Sequence, residues 1–562
     1  IQPAAVSATA AAATPAAAAA PPTAAAAPPT EELLKEADAA KARGNKRFQG
    51  RQFDHAIKDY TAAIELLAGT NHKNLSVYHG NRAQCYYSME QYDKAVSDCD
   101  AALAVDPAYT KVLIRRGMAL EKLGQLDKAI VDFTAAGLLS RMQNELAVQG
   151  CERVVKLLAE TKAQARLAEP MRGLPSAHFI SMFVASFHGI RTALESSKRA
   201  PDAISAAMGG ASGAALGKLI VEQALALMKL QRYEEAMDAW QKAAGLLPSD
   251  GTSPAMREWR DGPEGGGKVV PLHDPGMVLT LCGMFTHLQG KHDDAMALYD
   301  RALELHPSLV ETLAMRASLF YEKQLLPKAY ADFETAVAAS PTHPDIFCHR
   351  GQLHLLQNEF SQAVSDLRDA VRLDSSSVLA HVHLGMALHR NQQQNEALQA
   401  FEKAAALFPK SPDVFNYYGE LLLELQKTDE AVEKIGKAIK LGGGKFALAH
   451  VNQAVIQMTT GDMQGAMAEL QSAVTVDPLC ETAHVHMAHL HIQDKALQAA
   501  IDSYDKAIEL LRVPQELTEC FAMREAVAAQ LQLLTAQPAL YEPVMEEIRQ
   551  MQAQMQAQMM GQ

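Results

Sequence analysis

The chain has 562 residues, which is too long for one compact core and suits several domains or an array of repeats. Its formal net charge of −13 argues against nucleic acid as the main ligand. The seven cysteines stand singly, without a C-x-x-C pair, which indicates reduced thiols in a cytosolic environment.

The chain opens with residues 1–36, which we predict to be a disordered tether. Residues 1–30 are almost entirely Ala, Pro and Thr, and the prolines interrupt any helix there. The sequence has neither a run of about 20 apolar residues nor a secretory signal. Because the chain starts at Ile1 rather than at Met, we expect a membrane anchor upstream of it.

Residues 37–140 carry one pattern three times. Counting from Ala37, Ser76 and Thr110, small residues fall at offsets 8, 20 and 27, and Tyr, Cys or Phe falls at offset 24. This spacing puts small side chains where two antiparallel helices touch, with a larger side chain wedged between them. The pattern is typical of tetratricopeptide (TPR) repeats, whose first helices line a concave groove.

Five polar residues fall on the groove side of these first helices. Lysine and arginine make charge-assisted hydrogen bonds to carboxylates, and asparagine can bond a peptide backbone. The set therefore predicts a site for a peptide that ends in carboxylates, and it consists of Lys41, Asn45, Asn81, Lys111 and Arg115.

The motifs that hold these residues also resemble a known clamp. K-x-x-G-N at 41–45, N-R at 81–82 and K-x-x-x-R at 111–115 are similar to the dicarboxylate clamp of chaperone-binding TPR proteins. The resemblance implies that the five residues hold the acidic C-terminal tail of cytosolic Hsp70 or Hsp90.

Residues 141–195 do not follow the repeat pattern, and we predict a helical connector. The run from Arg141 to Leu158 and the Pro175-Ser176…Phe179-Ile180…Phe183…Ser186-Phe187 pattern resemble the seventy-kilodalton import receptors of the mitochondrial outer-membrane translocase. Residues 196–216, rich in Ala, Gly and Ser, are predicted to be a linker.

Repeats resume over residues 217–512, where we predict eight TPR motifs and an insertion at 249–275. After the insertion the register runs in steps of 34 from Gly276 to Pro412, and one added residue gives Ala447 and Glu481. Residues 513–562 are predicted to form a capping helix over the last repeat and a low-complexity tail. With the three earlier repeats this makes about eleven, which also resembles the import receptors.

A second groove is predicted along the first helices of these later repeats. Methionine is flexible enough to repack around many partners, and carboxylates nearby would favour basic segments. We therefore expect precursor proteins to bind there, on Met277, Leu281, Met284, Met315, Leu355, Met386, Tyr417, Glu311, Asp345 and Glu420.

Neither a metal site nor a catalytic set is predicted. His484, His486, His489 and His491 look like a metal cluster, but their offsets in the repeat point them to different faces of one helix. No nucleophile, base and orienting residue stand out. We expect no cofactor and no enzymatic activity.

The sequence thus predicts an all-α protein, a right-handed TPR superhelix with two arrays. The resemblance implies an import receptor on the cytosolic face of the mitochondrial outer membrane, with Hsp70, Hsp90, precursor proteins and other translocase subunits as partners. One alternative is a soluble co-chaperone bridging Hsp70 and Hsp90, although the later repeats hold no second clamp. Two others are an enzyme with a TPR module and a chloroplast envelope receptor, and this sequence lacks the additional domain that each would need.

Overall fold

The computed structural model describes residues 29–169, 173–248, 256, 258–259, 271–444 and 446–560, without the side chains of 552–553 and 555–560. All regular structure in these residues is α-helical, as the sequence predicted. Most of the predicted tether and most of the predicted insertion lie outside the described residues. The described chain forms two compact units: residues up to Thr161 together with those from Glu525 on, and residues Lys162–Arg524.

The N-terminal unit begins with three antiparallel helix pairs. Their bounds are α1 (Glu31–Gln49), α2 (Phe53–Leu66), α3 (Asn74–Ser88), α4 (Tyr92–Val105), α5 (Thr110–Lys122) and α6 (Leu126–Leu139). The first helix starts inside the predicted tether, because Thr30 caps it and Glu31 and Glu32 complement the positive end of its dipole.

Four helices follow the third pair: α7 (Glu145–Ala168), α8 (Ala177–Ala185), α9 (His188–Ser196) and α10 (Pro201–Ala207). The segment predicted as a linker is thus partly helical. Pro201 occupies the first helical position, where its missing N–H costs nothing, and Ile204 is fully buried.

The second unit continues in helix pairs. They are α11 (Gly213–Lys229), α12 (Tyr233–Gly245), α13 (Pro275–Leu288), α14 (His292–Leu305), α15 (Val310–Glu322), α16 (Leu326–Ala339), α17 (Pro344–Leu356), α18 (Phe360–Leu373), α19 (Val378–Arg390), α20 (Gln394–Leu407), α21 (Pro412–Glu424), α22 (Thr428–Leu441), α23 (Ala447–Thr460), α24 (Met463–Val476), α25 (Glu481–Gln493) and α26 (Leu497–Leu510). From α15 on, each first helix begins at the residue that starts a repeat in the predicted register.

The two C-terminal helices are α27 (Pro514–Ala536) and α28 (Pro538–Met560). The first half of α27 packs on the last repeat, where Arg524 Nε lies 2.9 Å from Asp505 Oδ1. Its second half and α28 belong instead to the N-terminal unit, where Leu533 and Tyr541 share a buried cluster with Phe133. The prediction of a helix that only caps the last repeat therefore covers part of this tail.

The first helix of a pair ends in a recurring way. After α5 the chain turns through Gly124 at φ 72°, and after α15 through Gln324 at φ 59°. The next residue then donates back across the turn: Gln125 N–H to Leu120 O over 2.9 Å, and Leu325 N–H to Phe320 O over 2.8 Å. This Schellman arrangement satisfies the last carbonyls of the helix and starts its partner.

A buried ion pair recurs inside the repeats. Arginine at offset 7 of the first helix pairs with aspartate at offset 23 on the second, with Nε–Oδ distances of 2.7 to 2.8 Å. The pairs are Arg82–Asp98, Arg116–Asp132, Arg316–Asp332 and Arg350–Asp366. Each aspartate is almost fully buried, so the guanidinium is its charge partner inside the repeat.

The connector helices α8 and α9 lie against the first helices of the second unit. His188 N–H donates to both carboxylate oxygens of Asp345, over 3.0 and 3.1 Å. The ring of Phe187 stacks on His349 with centroids 4.3 Å apart. Arg191 pairs with Asp374, and Phe187 and Ile190 belong to the same buried cluster as the first helices. The connector helices α8 and α9 are therefore part of the core of this unit.

Substitutions at two glycines test the close contact between the two helices of a repeat. A Cβ at Gly385, at offset 8 of its repeat, would overlap the ring of Phe401, which is fully buried, whereas a Cβ at Gly436 would meet nothing within 4 Å. We expect Gly385→Ala to destabilise the protein by about 1 kcal/mol or more. Gly436→Ala, in the middle of α22, should stabilise it by up to about 1 kcal/mol. Thermal unfolding measures both, and equal shifts would contradict the packing described.

Asp345 should make stability depend on pH. Burial raises the pKa of its carboxyl to about 8. The unfolded chain releases this proton near pH 4, so native stability falls as the pH rises from about 4 towards 8. Asp345→Asn keeps an oxygen for His188 N–H and cannot ionise. We expect it to unfold at a higher temperature than the parent at pH 8, by on the order of 1 kcal/mol or more in unfolding free energy.

The stabilisation by Asp345→Asn should shrink at pH 5, where the native Asp345 is already protonated. Burial lowers the pKa values of His343 and His349 to about 4, so these two groups make stability rise with pH. They are present in both proteins, and their effect therefore cancels in the comparison. Asp294→Asn, at an exposed position, controls for the lost charge. The same shift at both pH values would contradict the prediction.

Candidate functional site

The five predicted clamp residues lie on the first helices of the three N-terminal repeats. Lys41 and Asn45 are on α1, Asn81 is on α3, and Lys111 and Arg115 are on α5. We call these five residues the clamp surface. Contacts run from helix to helix across it: Asn81 bonds to Asn45, Lys41 lies over the ring of Tyr78 on α3, and Arg115 bonds to Gln84 on α3.

The two asparagines contact one another. Asn81 Nδ2 donates to Asn45 Oδ1 over 3.3 Å, and the hydroxyl of Tyr60 donates to the same oxygen over 2.7 Å. Tyr60 is the large residue wedged between α1 and α2, and it is buried. Burial raises its pKa to about 12, which keeps the hydroxyl protonated as a donor. The amide of Asn45 is therefore oriented by the packing of its own repeat.

Arg115 reaches across to α3 but pairs with neutral groups. Its Nε donates to Gln84 Oε1 over 2.6 Å, and its guanidinium also donates to the carbonyl of Gly80. Burial lowers its pKa, so the charged form lacks the stabilisation that a partner carboxylate would provide. Among the described residues no carboxylate forms an ion pair with it.

The neighbouring Arg116, on the same helix, differs from Arg115 because it has carboxylate partners. Its guanidinium lies 2.6 Å from Asp132 and 2.6 Å from Asp100. Two consecutive arginines of α5 thus differ in their partners: Arg116 is neutralised within the repeat, while among the described residues Arg115 bonds only to neutral groups. A partly buried cation of this kind is a favourable partner for an incoming carboxylate.

Lys41 is already paired. Its Nζ lies 2.7 Å from Asp38 Oδ1 and 5.8 Å from the centroid of the Tyr78 ring. Tyr78 also donates to Asp38 over 3.1 Å, and the hydrogen bond from Lys41 lowers the pKa of the Asp38 carboxyl. Lys111 is exposed, and in the described part of the chain it makes no ion pair. The clamp surface and Asp38 together carry three positive charges and one negative charge.

Our prediction missed four residues that shape this surface: Asp38, Tyr60, Tyr78 and Gln84. Only Asp38 had a local signal, since it stands three residues before Lys41 on the same helix face. Tyr78 and Gln84 lie on α3, where Tyr78 contacts Lys41 of the preceding repeat and Gln84 contacts Arg115 of the following one, so both contacts depend on how adjacent repeats stack.

The predicted precursor groove differs from the structure at six of its ten residues. Met277, Leu281, Met284 and Met315 expose at most 1% of their surface, and Glu311 and Asp345 are also buried. The four apolar residues share one cluster with Ile180, Phe187 and Ile190 of the connector helices. The repeat pattern placed them on the free side of the first helices, but in the folded chain they belong to the core.

The other four precursor residues remain accessible in part. Leu355, Met386 and Tyr417 are half-buried beside a buried cluster of the middle repeats. Glu420 accepts hydrogen bonds from Asn416 Nδ2 over 3.0 Å and Asn452 Nδ2 over 2.6 Å, and burial raises its pKa. Both bonds go to Oε1, so two neutral donors share one oxygen of this carboxylate.

Within the described residues, no helix combines the length and apolar character needed to cross a membrane.

Comparison with known proteins agrees with the repeat pattern. Models of the tetratricopeptide repeat match residues 76–109, 289–344, 349–412 and 419–478. The human mitochondrial import receptor subunit TOM70 is 26% identical over 89% of this chain and 80% of its own length. The Saccharomyces cerevisiae protein of the same name is 24% identical over 93% of this chain and 85% of its own length.

A solved structure agrees at the level of the fold. The crystal structure of yeast Tom70 superposes with a TM-score of 0.53 at 23% identity, covering 91% of this chain and 99% of that chain. The resemblance predicted from the sequence is therefore confirmed: this chain is a TPR protein homologous to Tom70.

Proposed function

We propose that this protein is a mitochondrial import receptor that docks Hsp70 or Hsp90 through the clamp surface and receives precursor proteins on its C-terminal repeats. The relatives that match most of the chain are named as mitochondrial import receptor subunits. Docking the chaperone on the chain that also receives precursors would deliver an unfolded client directly to the receptor.

Docking of a chaperone tail is supported mainly by the charge of Arg115, which has no carboxylate partner among the described residues. A chaperone tail that ends in aspartate offers two carboxylates, one on the side chain and one on the main chain. Arg115, Lys111 and Lys41 would bind them, and Asn45 and Asn81 would bond the peptide backbone. Neutral partners already orient Arg115, so little side-chain entropy is lost on binding.

In this proposal Lys41 exchanges one carboxylate partner for another when the peptide binds. It has to leave Asp38, or share its ammonium group, when it contacts the peptide. Asp38 therefore holds the Lys41 ammonium group in position while no peptide is bound. It also repels tails whose acidic residues lie in the wrong register.

For precursor proteins we propose the half-buried stretch of Leu355, Met386 and Tyr417 as the contact surface. These residues stand on α17, α19 and α21, so a segment bound there would span three repeats. The buried methionines and the acidic pair Glu311 and Asp345 would take part only if the connector helices moved away. We place the receptor at the cytosolic face of the mitochondrial outer membrane, with other translocase subunits as partners.

Lys111→Ala is the cleanest test of the chaperone site, because the side chain is exposed and makes no ion pair within the described residues. We expect it to weaken binding of an acidic chaperone C-terminal peptide by on the order of 2 kcal/mol. Arg115→Ala should weaken binding at least as much. Isothermal titration calorimetry with the free-acid peptide gives the affinities.

The control for lost charge is Lys128→Ala, an exposed lysine on the second helix of the same repeat, which should bind like the parent. Amidating the C-terminus of the peptide should weaken binding to the parent protein. Undiminished binding of the amidated peptide, or an unchanged affinity of Lys111→Ala, would refute the clamp role.

Met386→Lys tests the precursor surface. A charge there should weaken binding of an apolar precursor segment by about 1–2 kcal/mol, since the segment would lose apolar contact area and face a desolvated ammonium group. Fluorescence anisotropy with a labelled precursor peptide measures the effect. Met463→Lys, on the exposed start of α24, is the matched control, and binding of the chaperone peptide should not change. Equal losses in both variants would speak against this surface.

A further inference from the structure

Three potential metal ligands converge at one turn of the second unit. His287 stands in the last turn of α13, His292 starts α14, and Glu322 ends α15 in the next repeat. Their ligand atoms all lie within 4.8 Å of one another. Glu322 Oε2 is 3.0 Å from His287 Nε2 and 3.4 Å from His292 Nε2.

The two distances from Glu322 Oε2 are close to the spacing of ligands around a tetrahedral ion. Zinc binds imidazole nitrogen and carboxylate oxygen at about 2.0–2.2 Å, so two ligands of one tetrahedron lie roughly 3.3–3.5 Å apart. The two imidazoles are close to perpendicular, at 82°, with centroids 5.6 Å apart. Two histidines and one carboxylate make a ligand set that zinc uses in proteins when its fourth position stays open.

The donor atoms of the cluster also suit a cation. Two imidazole nitrogens and one carboxylate oxygen can each supply a lone pair to a metal ion once the ion has displaced their protons.

Two neighbouring cations face the cluster. Lys323 is paired with Asp293, and Arg512 donates to the carbonyl of Leu288. Their charges act against a divalent ion, so the affinity should be lower than that of a closed structural zinc site. The side chains of His292 and Glu322 are 41% and 47% exposed, which leaves the cluster open to solvent.

Another repeat provides an internal comparison. His389 and Glu424 stand at the same repeat offsets as His287 and Glu322, and they form the same bond, with Nε2 and Oε2 2.6 Å apart. The histidine–glutamate pair is therefore a recurring contact between adjacent repeats. At the offset of His292 that later repeat has Gln394, so it lacks the third ligand.

We propose that His287, His292 and Glu322 form a zinc site with an open fourth position, filled by water in the free protein. The ion would tie the turn between α13 and α14 to the end of α15, and so join two consecutive repeats. The sequence alone did not predict this site, because Glu322 is 30 residues after His292 and comes close only through repeat stacking.

The test is zinc binding to the full 562-residue chain, freed of metal and titrated with Zn²⁺ against a chromophoric chelator. We expect one saturable equivalent per chain, and at least a tenfold loss of affinity in His292→Gln, which converts the cluster into the His389–Glu424 arrangement. Gln394→His should add a second equivalent. Because position 292 is partly exposed and the substituted residue is one that the fold accepts at position 394, His292→Gln should fold normally.

Cobalt provides a readout of the geometry. Co²⁺ bound to the parent should show the intense visible absorption of a tetrahedral site, and His292→Gln should lose it. Zinc should also raise the unfolding temperature of the parent but not that of His292→Gln. Equal zinc binding by the parent and His292→Gln, no binding by the parent, or an octahedral cobalt spectrum would each overturn the proposal.

Discussion

The close contact between the two helices of a repeat is the constraint on which the rest of the structure depends. A small residue on the first helix faces a large side chain on the second, as Gly44 faces Tyr60 and Gly385 faces Phe401. In four repeats the close approach of the two helices also buries an arginine–aspartate pair. It leaves one side of the first helix outside the pair, where polar or apolar residues can serve another purpose.

The N-terminal unit uses that side for charge. Where the arginine at offset 7 pairs with the aspartate of the same repeat, the charge of this arginine is not available to a ligand. Arg115 stands at offset 6, on the adjacent face, where no carboxylate of the repeat reaches it. Tyr60 has two roles in its repeat. Its ring packs between the two helices, and its hydroxyl orients Asn45. The tyrosine that packs the helix pair therefore also positions a predicted clamp residue.

In the second unit part of the same side is covered. The connector helices bring His188 and Arg191 to Asp345 and Asp374, and bring Phe187 and Ile190 to the apolar residues of the first helices. Carboxyl and apolar groups on the first helices are thus engaged by side chains of the connector helices. What remains accessible lies further along, around Met386 and Tyr417. The connector limits how much of the array is open to a partner.

The sequence by itself determined the repeat, its register from Val310 to Glu481, and the first-helix positions of the five clamp residues, because helix pairing depends on spacing of only a few residues. It did not reveal that Lys41 is paired with Asp38, that Arg115 has only neutral partners, or that Met277 and Met315 are buried. Those properties come from contacts between repeats and from the connector, where residues such as His188 and Asp345 are 157 positions apart. Only the tertiary structure decides which side of a helix meets water, since local periodicity defines a face and not what covers it.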